Sequence, residues 1–359
     1  MPAIHQFTAG LRDGDAVTNE ALAMRDIFRA WGCESEIFTD PAACHPGLPG
    51  YARDLADYNS GENPNVLVIL HFSIGSRANT VFAGLECRRA LVYHNITPAH
   101  YFQVVNPQIA QDLSRGRKQL EALVGSADVS LAVSTFNARE LTELGYKRVE
   151  VLPLVLDFDR MYTKCDADIL ADFDDGVTNI LFVGRQAPNK KLEDVIDAFA
   201  FFHRAVEPES RLILVGSAMG AEPYNGALLG IVHDLHIEDA VHFAGLVTQS
   251  QLNSFYRCAD VFLCMSEHEG FCIPVIESMV HDVPVMAYAA AAIPETMDGA
   301  GILFKTKELG PIAEMMGHLV TDTRFKNAVL QGQRDRLARF RARELDAELK
   351  QHLSVLLSP

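Results

Sequence analysis

The sequence predicts an α/β protein built from two parallel-sheet domains. Short apolar runs recur along the 359 residues, and each is followed by Gly, Pro, His or Ser and then by a segment of helical period. This alternation is typical of β-α units that build a parallel sheet. The rhythm stops at a polar, acid-rich stretch and then restarts, and the length suits about two domains of ordinary size. We therefore expect two separate sheets joined by a linker.

The candidate strands fall into two groups. Those of the first group are NVLVILHFS (65–73), ALVYHN (90–95), VSLAVS (129–134) and VEVLP (149–153). Those of the second group are NILFVGR (179–185), RLILVG (211–216), AVHFAG (240–245), DVFLCMS (260–266) and VPVMAY (283–288). The predicted organisation is a first domain at 1–160, a linker at 161–176, a second domain at 177–335 and a helical tail at 336–359. One hypothesis for the tail at 336–359 is that it packs back on the first domain.

Composition narrows the classes of function. With 48% hydrophobic and 22% charged residues the chain has the composition of a globular protein. The net charge of −16 makes nucleic-acid binding an unfavourable hypothesis, because such proteins need a basic surface. Seven scattered cysteines without a Cys-x-x-Cys motif argue against a disulfide framework and against structural zinc. We expect a cytoplasmic protein without a secretion signal or a membrane-spanning segment.

The first group of candidate site residues follows the strand 179–185. Gly184 and Arg185 end that strand, and Lys190 precedes a helix whose apolar stripe predicts packing against a sheet. Ligands of open parallel sheets bind beyond the carboxyl ends of the strands. An Arg and a Lys at that place can neutralise a diphosphate as it becomes a leaving group. Ordinary surface charge at a helix start is the alternative explanation.

The second group occupies residues 266–277, between the strand 260–266 and a helix that Pro274 is suited to begin. Glu269 lies in the loop, and Glu277 lies about one turn into the helix. Two carboxylates with free backbone amides between them can hold a polyol that carries a phosphate. Alternatively, the acidic residues only stabilise the helix start through its dipole, an effect of about 0.3–1 kcal/mol each.

Taken as a set, these residues resemble the family-4-type retaining glycosyltransferases. The resemblance includes the Glu-x7-Glu of Glu269 and Glu277, the Gly-Arg-x4-Lys of Arg185 and Lys190, and Gly-containing turns after strands. It extends over LAVSTFNARELTELG (131–145) and VEVLPLVLD (149–157), and so over nearly the whole chain. The family implies the GT-B fold, in which two Rossmann-like domains face each other across a cleft.

The resemblance also implies roles for individual residues. Arg185 and Lys190 bind the donor diphosphate, Glu269 binds hydroxyls of the transferred sugar, and Glu277 binds the ribose. His94 lines the reaction centre, so that His94, Arg185, Lys190 and Glu269 form the expected catalytic set. The other residues expected around the donor are Gly14, Asp15, Gly184, Gly216, Gly270, Phe271, Cys272 and Ile273.

Cys272 departs from the family pattern, which often has Gly at this position. Its side chain narrows the space beside the donor, while its backbone N–H is retained. The position at a helix start is expected to favour the thiolate, and therefore reaction with a bulky thiol reagent.

Two histidines end candidate strands in the first half of the chain. His71 ends NVLVIL, and His94 ends ALVY before an Asn-Ile-Thr-Pro segment that resembles a subgroup building bacterial surface polysaccharides with mannose-like sugars. A histidine near a departing diphosphate can supply a positive charge or a hydrogen bond. For both histidines, the alternative is a residue at a strand end whose ring makes a hydrogen bond with a nearby backbone group.

The expected activity is transfer of a hexose from a GDP- or UDP-sugar to a saccharide or lipid-linked saccharide, with retention and without a metal or other cofactor. The alternative is a non-catalytic sugar-nucleotide-binding or scaffold protein of the same fold. Basic residues of the first half can dock an anionic inner membrane surface or are solvated surface charge. Those residues are Arg77, Arg88, Arg89, Arg115, Arg117 and Lys118.

Two other classes of enzyme receive little support. Asp166, Asp168, Asp172 and Asp174 could suggest a magnesium site, but they lie in the expected linker rather than at a strand end. A dinucleotide dehydrogenase lacks its Gly-x-Gly-x-x-Gly motif after an early strand.

Overall fold

The computed structural model describes residues 3–12, 14–45, 47–48, 50–59 and 66–357, and these form two α/β units. The first unit comprises Met1–His100, Pro107–Leu156 and Glu344–Pro359. The second comprises Tyr101–Asn106 and Asp157–Arg343. The fold prediction is confirmed, because each unit contains a parallel sheet with helices, as in a Rossmann-like domain.

The first sheet has its strands in the order β3-β2-β1-β4-β5-β6-β7, and all of the pairs are parallel. The strands are β1 (Ala3–Thr8), β2 (Ile37–Thr39), β3 (Arg53–Asp54), β4 (Val66–Phe72), β5 (Arg88–Tyr93), β6 (Val129–Ala132) and β7 (Val149–Val151). Every residue of β4 is buried, which explains its nearly continuous apolar sequence. Asn65, the first residue of the predicted strand 65–73, lies outside the described residues.

The helices of the first unit are α1 (Ala16–Ala30), α2 (Arg77–Ala83), α3 (Pro107–Ala122) and α4 (Thr135–Glu143), together with the C-terminal α14 (Leu345–Leu357). Helix α14 is fixed to this unit by polar contacts. Arg88 donates to the carbonyl of Leu356 at 2.7 Å, and the indole N–H of Trp31 donates to Asp346 at 2.5 Å. The returning segment thus begins at residue 344, whereas the sequence analysis began the tail at 336.

The second sheet has the order β10-β9-β8-β11-β12-β13, again with parallel pairs. Its strands are β8 (Thr178–Val183), β9 (Ser210–Val215), β10 (Val241–Gly245), β11 (Val261–Cys264), β12 (Val285–Tyr288) and β13 (Ile302–Phe304). The sequence analysis did not identify β13, which is three residues long and only half-buried.

The helices of the second unit are α5 (Phe158–Met161), α6 (Ala167–Phe173), α7 (Leu192–Ala205), α8 (Glu222–Asp234), α9 (Gln249–Cys258), α10 (Ile273–Val280), α11 (Ile293–Met297), α12 (Leu309–Thr321) and α13 (Thr323–Arg341). The apolar stripe predicted for α7 is fully buried in the core of this unit.

The predicted linker is part of the second unit. Its residues 166–176 contain α6, and Asp166 caps that helix by accepting hydrogen bonds from the backbone N–H groups of Asp168 and Ile169. Phe173 at the end of α6 is buried against Phe255 of α9, with ring centroids 5.2 Å apart. Asp166 therefore caps a helix, and the segment predicted to be a linker packs on the second unit.

In the described part of the chain, no helix has both the length and the apolar character that a membrane crossing requires.

Candidate functional site

The second sheet has a topological switch point between β8 and β11. The chain proceeds from β8 to β9 and β10 on one side, and from β11 to β12 and β13 on the other. Connections leave the sheet in opposite directions there and open a crevice at the carboxyl ends of the strands. The loop after β8 carries Arg185 and Lys190, and the loop after β11 carries Glu269 and Cys272. The fold thus explains why two distant sequence motifs meet.

Asn189 connects these two loops. Its carbonyl accepts a hydrogen bond from the backbone N–H of Glu267 at 2.9 Å, and its side-chain amide donates to the carbonyl of His268 at 3.0 Å. Asn189 is buried, so both polar groups depend on these partners. The sequence analysis assigned no role to Asn189, although it stands inside the Gly-Arg-x4-Lys motif.

Lys190 and Glu269 form an ion pair across the joined loops. The Lys190 Nζ lies 2.5 Å from Glu269 Oε1, and the two side chains are 21% and 9% exposed. Burial acts to lower the pKa of Lys190, but the charge of Glu269 and neighbouring groups outweighs it and the pKa is raised. Lys190 is therefore an ammonium group at neutral pH, as binding of an anion requires.

Arg185 points to a different part of the same loop region. It is exposed, donates to the carbonyl of Met219 at 3.1 Å, and places its guanidinium 5.7 Å from the ring centroid of Phe102. Phe102 belongs to the segment 101–106, which the structure groups with this unit. The chain thus brings Arg185 and Lys190 to one edge of the sheet, but with separate partners.

Gly216, after β9, permits a close approach of two of these loops. A Cβ at this position would lie 2.0 Å from the carbonyl oxygen of Gly184, and the backbone has a φ of +144°. Only glycine fits such a conformation beside another backbone. The Gly-containing turn that the sequence analysis singled out is thus a packing requirement next to Arg185.

Glu277 lies in α10 and is held by Tyr256, whose hydroxyl donates to Oε2 at 2.8 Å. Burial raises the pKa of Glu277, while the hydrogen bond from Tyr256 and the charge of Arg160 act in the opposite direction. Between the two carboxylates, the carbonyl of Phe271 accepts a hydrogen bond from Thr296 at 2.5 Å, and Ile273 begins the helix. Glu277 is separate from the Lys190–Glu269 pair.

Cys272 adopts a left-handed backbone conformation with φ +75° and ψ +66° just before α10. Glycine is favoured there, and another residue carries strain of about 1–3 kcal/mol. The prediction of a reactive thiolate is wrong: a hydrogen bond shared with Cys264, together with burial, holds the pKa of the Cys272 thiol well above its usual value. The residue is a buried, protonated thiol, and the effect of the helix start is outweighed.

A second set of charges flanks the same loop. Lys307 Nζ lies 2.5 Å from Asp194 and 2.9 Å from Glu267, and the Tyr101 hydroxyl donates to Glu267 at 3.1 Å. These contacts, from residues far apart in the sequence, were not anticipated. Both contacts bind the side chain of Glu267, whose backbone N–H donates to Asn189. Lys307 follows β13 and Tyr101 precedes α3, so three separate segments meet at Glu267.

In the first unit, Gly14 and Asp15 form the turn before α1. Gly14 has a φ of +73°, and the Asp15 carboxylate caps the helix by accepting from the backbone N–H of Thr18 at 3.1 Å. The cap is the role that the structure records for Asp15, and a contact of these two residues with the donor stays a prediction.

His71 and His94 belong to one chain of hydrogen bonds in the first unit. Gln6 Nε2 donates to the carbonyl of Ala21 at 2.9 Å, which leaves Gln6 Oε1 to accept from His71 Nε2 at 2.7 Å. His71 Nδ1 must then accept from His94 Nε2, 2.9 Å away. A neutral His94 ring carries its one proton on Nε2, so its Nδ1 is unprotonated. This Nδ1 is buried and has no hydrogen-bond partner among the described residues.

Both rings are neutral. Burial lowers the pKa of His94 to about 3, and burial together with the neighbouring His94 ring places the pKa of His71 well below its usual value. Of the two roles expected for His94, the structure therefore excludes a positive charge at neutral pH. A hydrogen bond accepted at Nδ1 is the role that the tautomer allows.

The basic residues of the first unit make internal contacts. Arg117 donates to the carbonyl of Ile96 at 2.6 Å, and Arg115 donates to the carbonyl of Gly75 at 3.0 Å. Arg88 is bound to α14, as described above. Contact with a membrane surface stays a prediction.

A cavity of about 250 Å³ lies at the carboxyl edge of the first sheet, where the order of β1 and β4 creates a second switch point. Its polar lining includes Thr8, Asp40, Ser76, Arg77 and Arg115. The buried Thr8 hydroxyl has no hydrogen-bond partner within the described ranges. The cavity combines cationic and hydroxyl groups suited to a polar ligand.

Part of the second unit matches a known protein family. Residues 171–336 match the family Glycosyl transferases group 1. The chain is 30% identical over 171 residues to mannosylfructose-phosphate synthase from Agrobacterium fabrum, an alignment that covers 45% of this chain and 37% of that enzyme. The chain therefore spans little more than a third of the length of this curated relative.

Solved structures are similar over the full length. Sucrose-phosphate synthase from Thermosynechococcus elongatus superposes with a TM-score of 0.75 at 18% identity, covering 99% of each chain. Anabaena HepE in complex with UDP-glucose gives a TM-score of 0.71 at 20% identity, covering 98% of this chain and 99% of that one. These likenesses establish the GT-B fold. The predicted resemblance to family-4-type glycosyltransferases is confirmed for residues 171–336, which the family match covers.

The neutral histidine pair has a measurable consequence. We expect ¹⁵N NMR spectra at pH 6 to show His94 neutral and without a proton on Nδ1, with the signal assigned through a His94→Gln variant. Unfolded imidazoles bind a proton near pH 6.5 and these folded rings do not, so the free energy of unfolding should fall between pH 6.5 and 5. The expected fall is about 1.4 kcal/mol per pH unit for each ring. An imidazolium signal for His94 at pH 6 would contradict the tautomer assignment.

Proposed function

We propose that this chain, whose residues 171–336 match the group 1 glycosyltransferases, transfers a hexose from a nucleoside diphosphate sugar to a hydroxyl of a saccharide or lipid-linked saccharide. The observation that carries this proposal is the Lys190–Glu269 pair at the switch point of the second sheet. An ammonium and a carboxylate held together match the two parts of such a donor, its diphosphate and its sugar hydroxyls.

Lys190 and Arg185 stabilise the leaving diphosphate in this proposal. As the glycosidic bond breaks, negative charge grows on the phosphate oxygen that departs. A partly buried ammonium that is already in place interacts with this charge more strongly than water does. Arg185, exposed on the same loop and supported by Phe102, adds a planar pair of donors.

Glu269 and Glu277 divide the rest of the donor between them. Glu269, whose orientation is fixed by Lys190, accepts hydrogen bonds from hydroxyls of the transferred sugar. Glu277, held separately by Tyr256, accepts from the ribose. Two carboxylates with different partners favour separate roles over a single helix-start function.

The donor is a UDP- or GDP-sugar in this proposal. HepE, similar in fold, has been solved with UDP-glucose, which supports a uridine nucleotide for the fold without fixing the base for this chain. A mannose-like sugar remains our proposal from the segment that follows His94. Neutral His94 accepts a hydrogen bond from a hydroxyl at Nδ1, and so contributes orientation rather than charge.

For the acceptor, we assign the cavity of the first unit that Arg77 and Arg115 line. Its guanidinium groups and hydroxyls suit a polar acceptor such as a saccharide. We propose retention of configuration through same-face substitution assisted by the leaving phosphate. The cations that this mechanism needs are side chains, so no catalytic metal is required.

The function is tested by incubating the protein with UDP- and GDP-hexoses. We expect one donor to raise the melting temperature, because a ligand that binds only the folded state stabilises it, and to be hydrolysed slowly without an acceptor. With an acceptor, proton NMR should show a product whose anomeric configuration matches the donor. Donor binding with nucleotide release no faster than in a protein-free control would instead support the non-catalytic scaffold.

Removing either cation should affect turnover more than binding. We expect Lys190→Ala and Arg185→Ala to lower kcat by about 10²–10³-fold, because their charges matter most in the transition state. Lys191→Ala is the matched control, since Lys191 follows Lys190 in the chain but pairs with Glu193 of α7. Steady-state kinetics that show near-normal kcat in both test variants would remove these cations from the mechanism.

Calorimetry distinguishes the roles of Glu269 and Glu277 by measuring the affinity of each variant for the bare nucleotide and for the intact donor. Glu277→Gln should weaken both ligands by a similar factor of about ten to a hundred, the equivalent of a lost hydrogen bond of about 1.5–3 kcal/mol. Glu269→Gln should spare nucleotide affinity and lower donor affinity or turnover. Glutamine is chosen because it still offers Lys190 an oxygen, whereas alanine would leave a partly buried charge without its partner.

An equal loss of nucleotide affinity in both variants would contradict this division of roles. It would mean that the Glu-x7-Glu segment acts as one structural unit that holds the start of α10.

A further inference from the structure

Three buried side chains with metal-binding atoms converge beside the Lys190–Glu269 pair. Cys264 ends β11, and Glu269 and Cys272 follow in the next loop. The two thiol sulfurs and a carboxylate oxygen of Glu269 all lie within 4.8 Å of one another. Both cysteines are free, and all three residues are buried.

We propose that Cys264, Cys272 and Glu269 form a binding site for Zn²⁺, and that its occupancy inhibits the enzyme. The second part rests on the proposed function, whereas binding itself does not. Thiolates and a carboxylate are ligands that Zn²⁺ prefers, and three protein ligands leave the fourth tetrahedral position open.

The geometry of the cluster is close to that of a bound cation. Zinc bonds of about 2.0–2.3 Å at tetrahedral angles place ligand atoms about 3.3–3.8 Å apart. Atoms that already lie within 4.8 Å of one another need to shift by roughly 1 Å or less to each side. Rotation of the side chains supplies such a shift, so the backbone of β11 and its loop does not have to move.

Charge balance favours the same ion. In the metal-free protein, the charges of the Lys190 ammonium and the Glu269 carboxylate cancel. When Zn²⁺ binds, two S–H bonds release their protons to solvent and two Zn–S bonds form, without any change of oxidation state. Two thiolates and one carboxylate then balance Zn²⁺ together with Lys190, so the buried site remains neutral.

Zinc and the donor compete for Glu269. A carboxylate coordinated to Zn²⁺ has less electron density to offer to sugar hydroxyls, and the cation repels the ammonium of Lys190, which lies 2.5 Å from that carboxylate. Occupancy therefore alters both groups to which we assign the donor. Zinc is expected to inhibit rather than to support transfer.

Direct binding is measured with Co²⁺, which substitutes for Zn²⁺ and reports thiolate ligands by charge-transfer absorption. Reduced, metal-free full-length protein should bind one equivalent of Co²⁺ with this absorption, and Zn²⁺ should displace it. Cys264→Ala should weaken binding by more than about 100-fold, since loss of a ligand costs at least as much as loss of a supporting contact. Cys258→Ala, which removes a thiol outside the cluster, should leave the titration unchanged.

A second variant guards against misfolding. Cys272→Gly removes the other thiol and relieves a left-handed backbone conformation, so it is expected to fold, and it should also lose the absorption. Circular dichroism and thermal unfolding check both variants. Co²⁺ binding without thiolate absorption, or absorption that survives in Cys264→Ala, would overturn the proposal.

Inhibition is measured on the same samples. Zn²⁺ should lower donor turnover of the wild type, EDTA should restore it, and Cys264→Ala should tolerate the same concentration of Zn²⁺. Zinc inhibition that is equal in wild type and Cys264→Ala would overturn the inhibitory role. If the protein has no turnover with any donor, the proposed function fails while the optical titration still decides the metal site.

Discussion

Lys190 and Glu269 face each other from two loops that follow neighbouring strands of the second sheet. Isolated burial of either charge would be costly, and the two groups pair at 2.5 Å. A buried ion pair adds little net stability compared with an apolar contact, so its presence at a switch point is better explained by ligand binding. The hydrogen bonds of Asn189 with Glu267 and His268 join the two loops next to the pair.

The first unit uses the opposite electrostatic device. Its buried histidines carry no charge, and their tautomers follow from one orientation of Gln6 against the carbonyl of Ala21. A neutral relay of this kind presents a hydrogen-bond acceptor at His94 Nδ1, with no ion to desolvate. In the function that we propose, the second unit supplies charge for a diphosphate, and the first supplies the neutral histidines and the cavity lined by Arg77 and Arg115.

The sequence was sufficient for the fold class and for the positions of the motifs. Short apolar runs, each followed by Gly, Pro, His or Ser and then by a segment of helical period, indicate parallel strands and helices. It could not reveal contacts between residues far apart in the chain. The pairing of Lys190 with Glu269 and the contact of Tyr101 with Glu267 join separate segments of the fold, which periodicity does not encode. The approach of Cys264 to Cys272 depends on the path of the loop that follows β11. The helix start at Cys272 suggested a thiolate, but the hydrogen bond shared with Cys264, together with burial, raises the pKa of this thiol.

The central claim is that the charges of Lys190 and Glu269 stabilise each other as an ion pair. A double-mutant cycle tests it most directly, with the free energy of unfolding measured by urea for Lys190→Met, Glu269→Gln and the double variant. Each single change leaves one partner without its counter-charge, so the double variant should be destabilised by less than the sum of the two single effects. We predict a coupling of at least about 1 kcal/mol, and effects that add within about 0.5 kcal/mol would contradict the account.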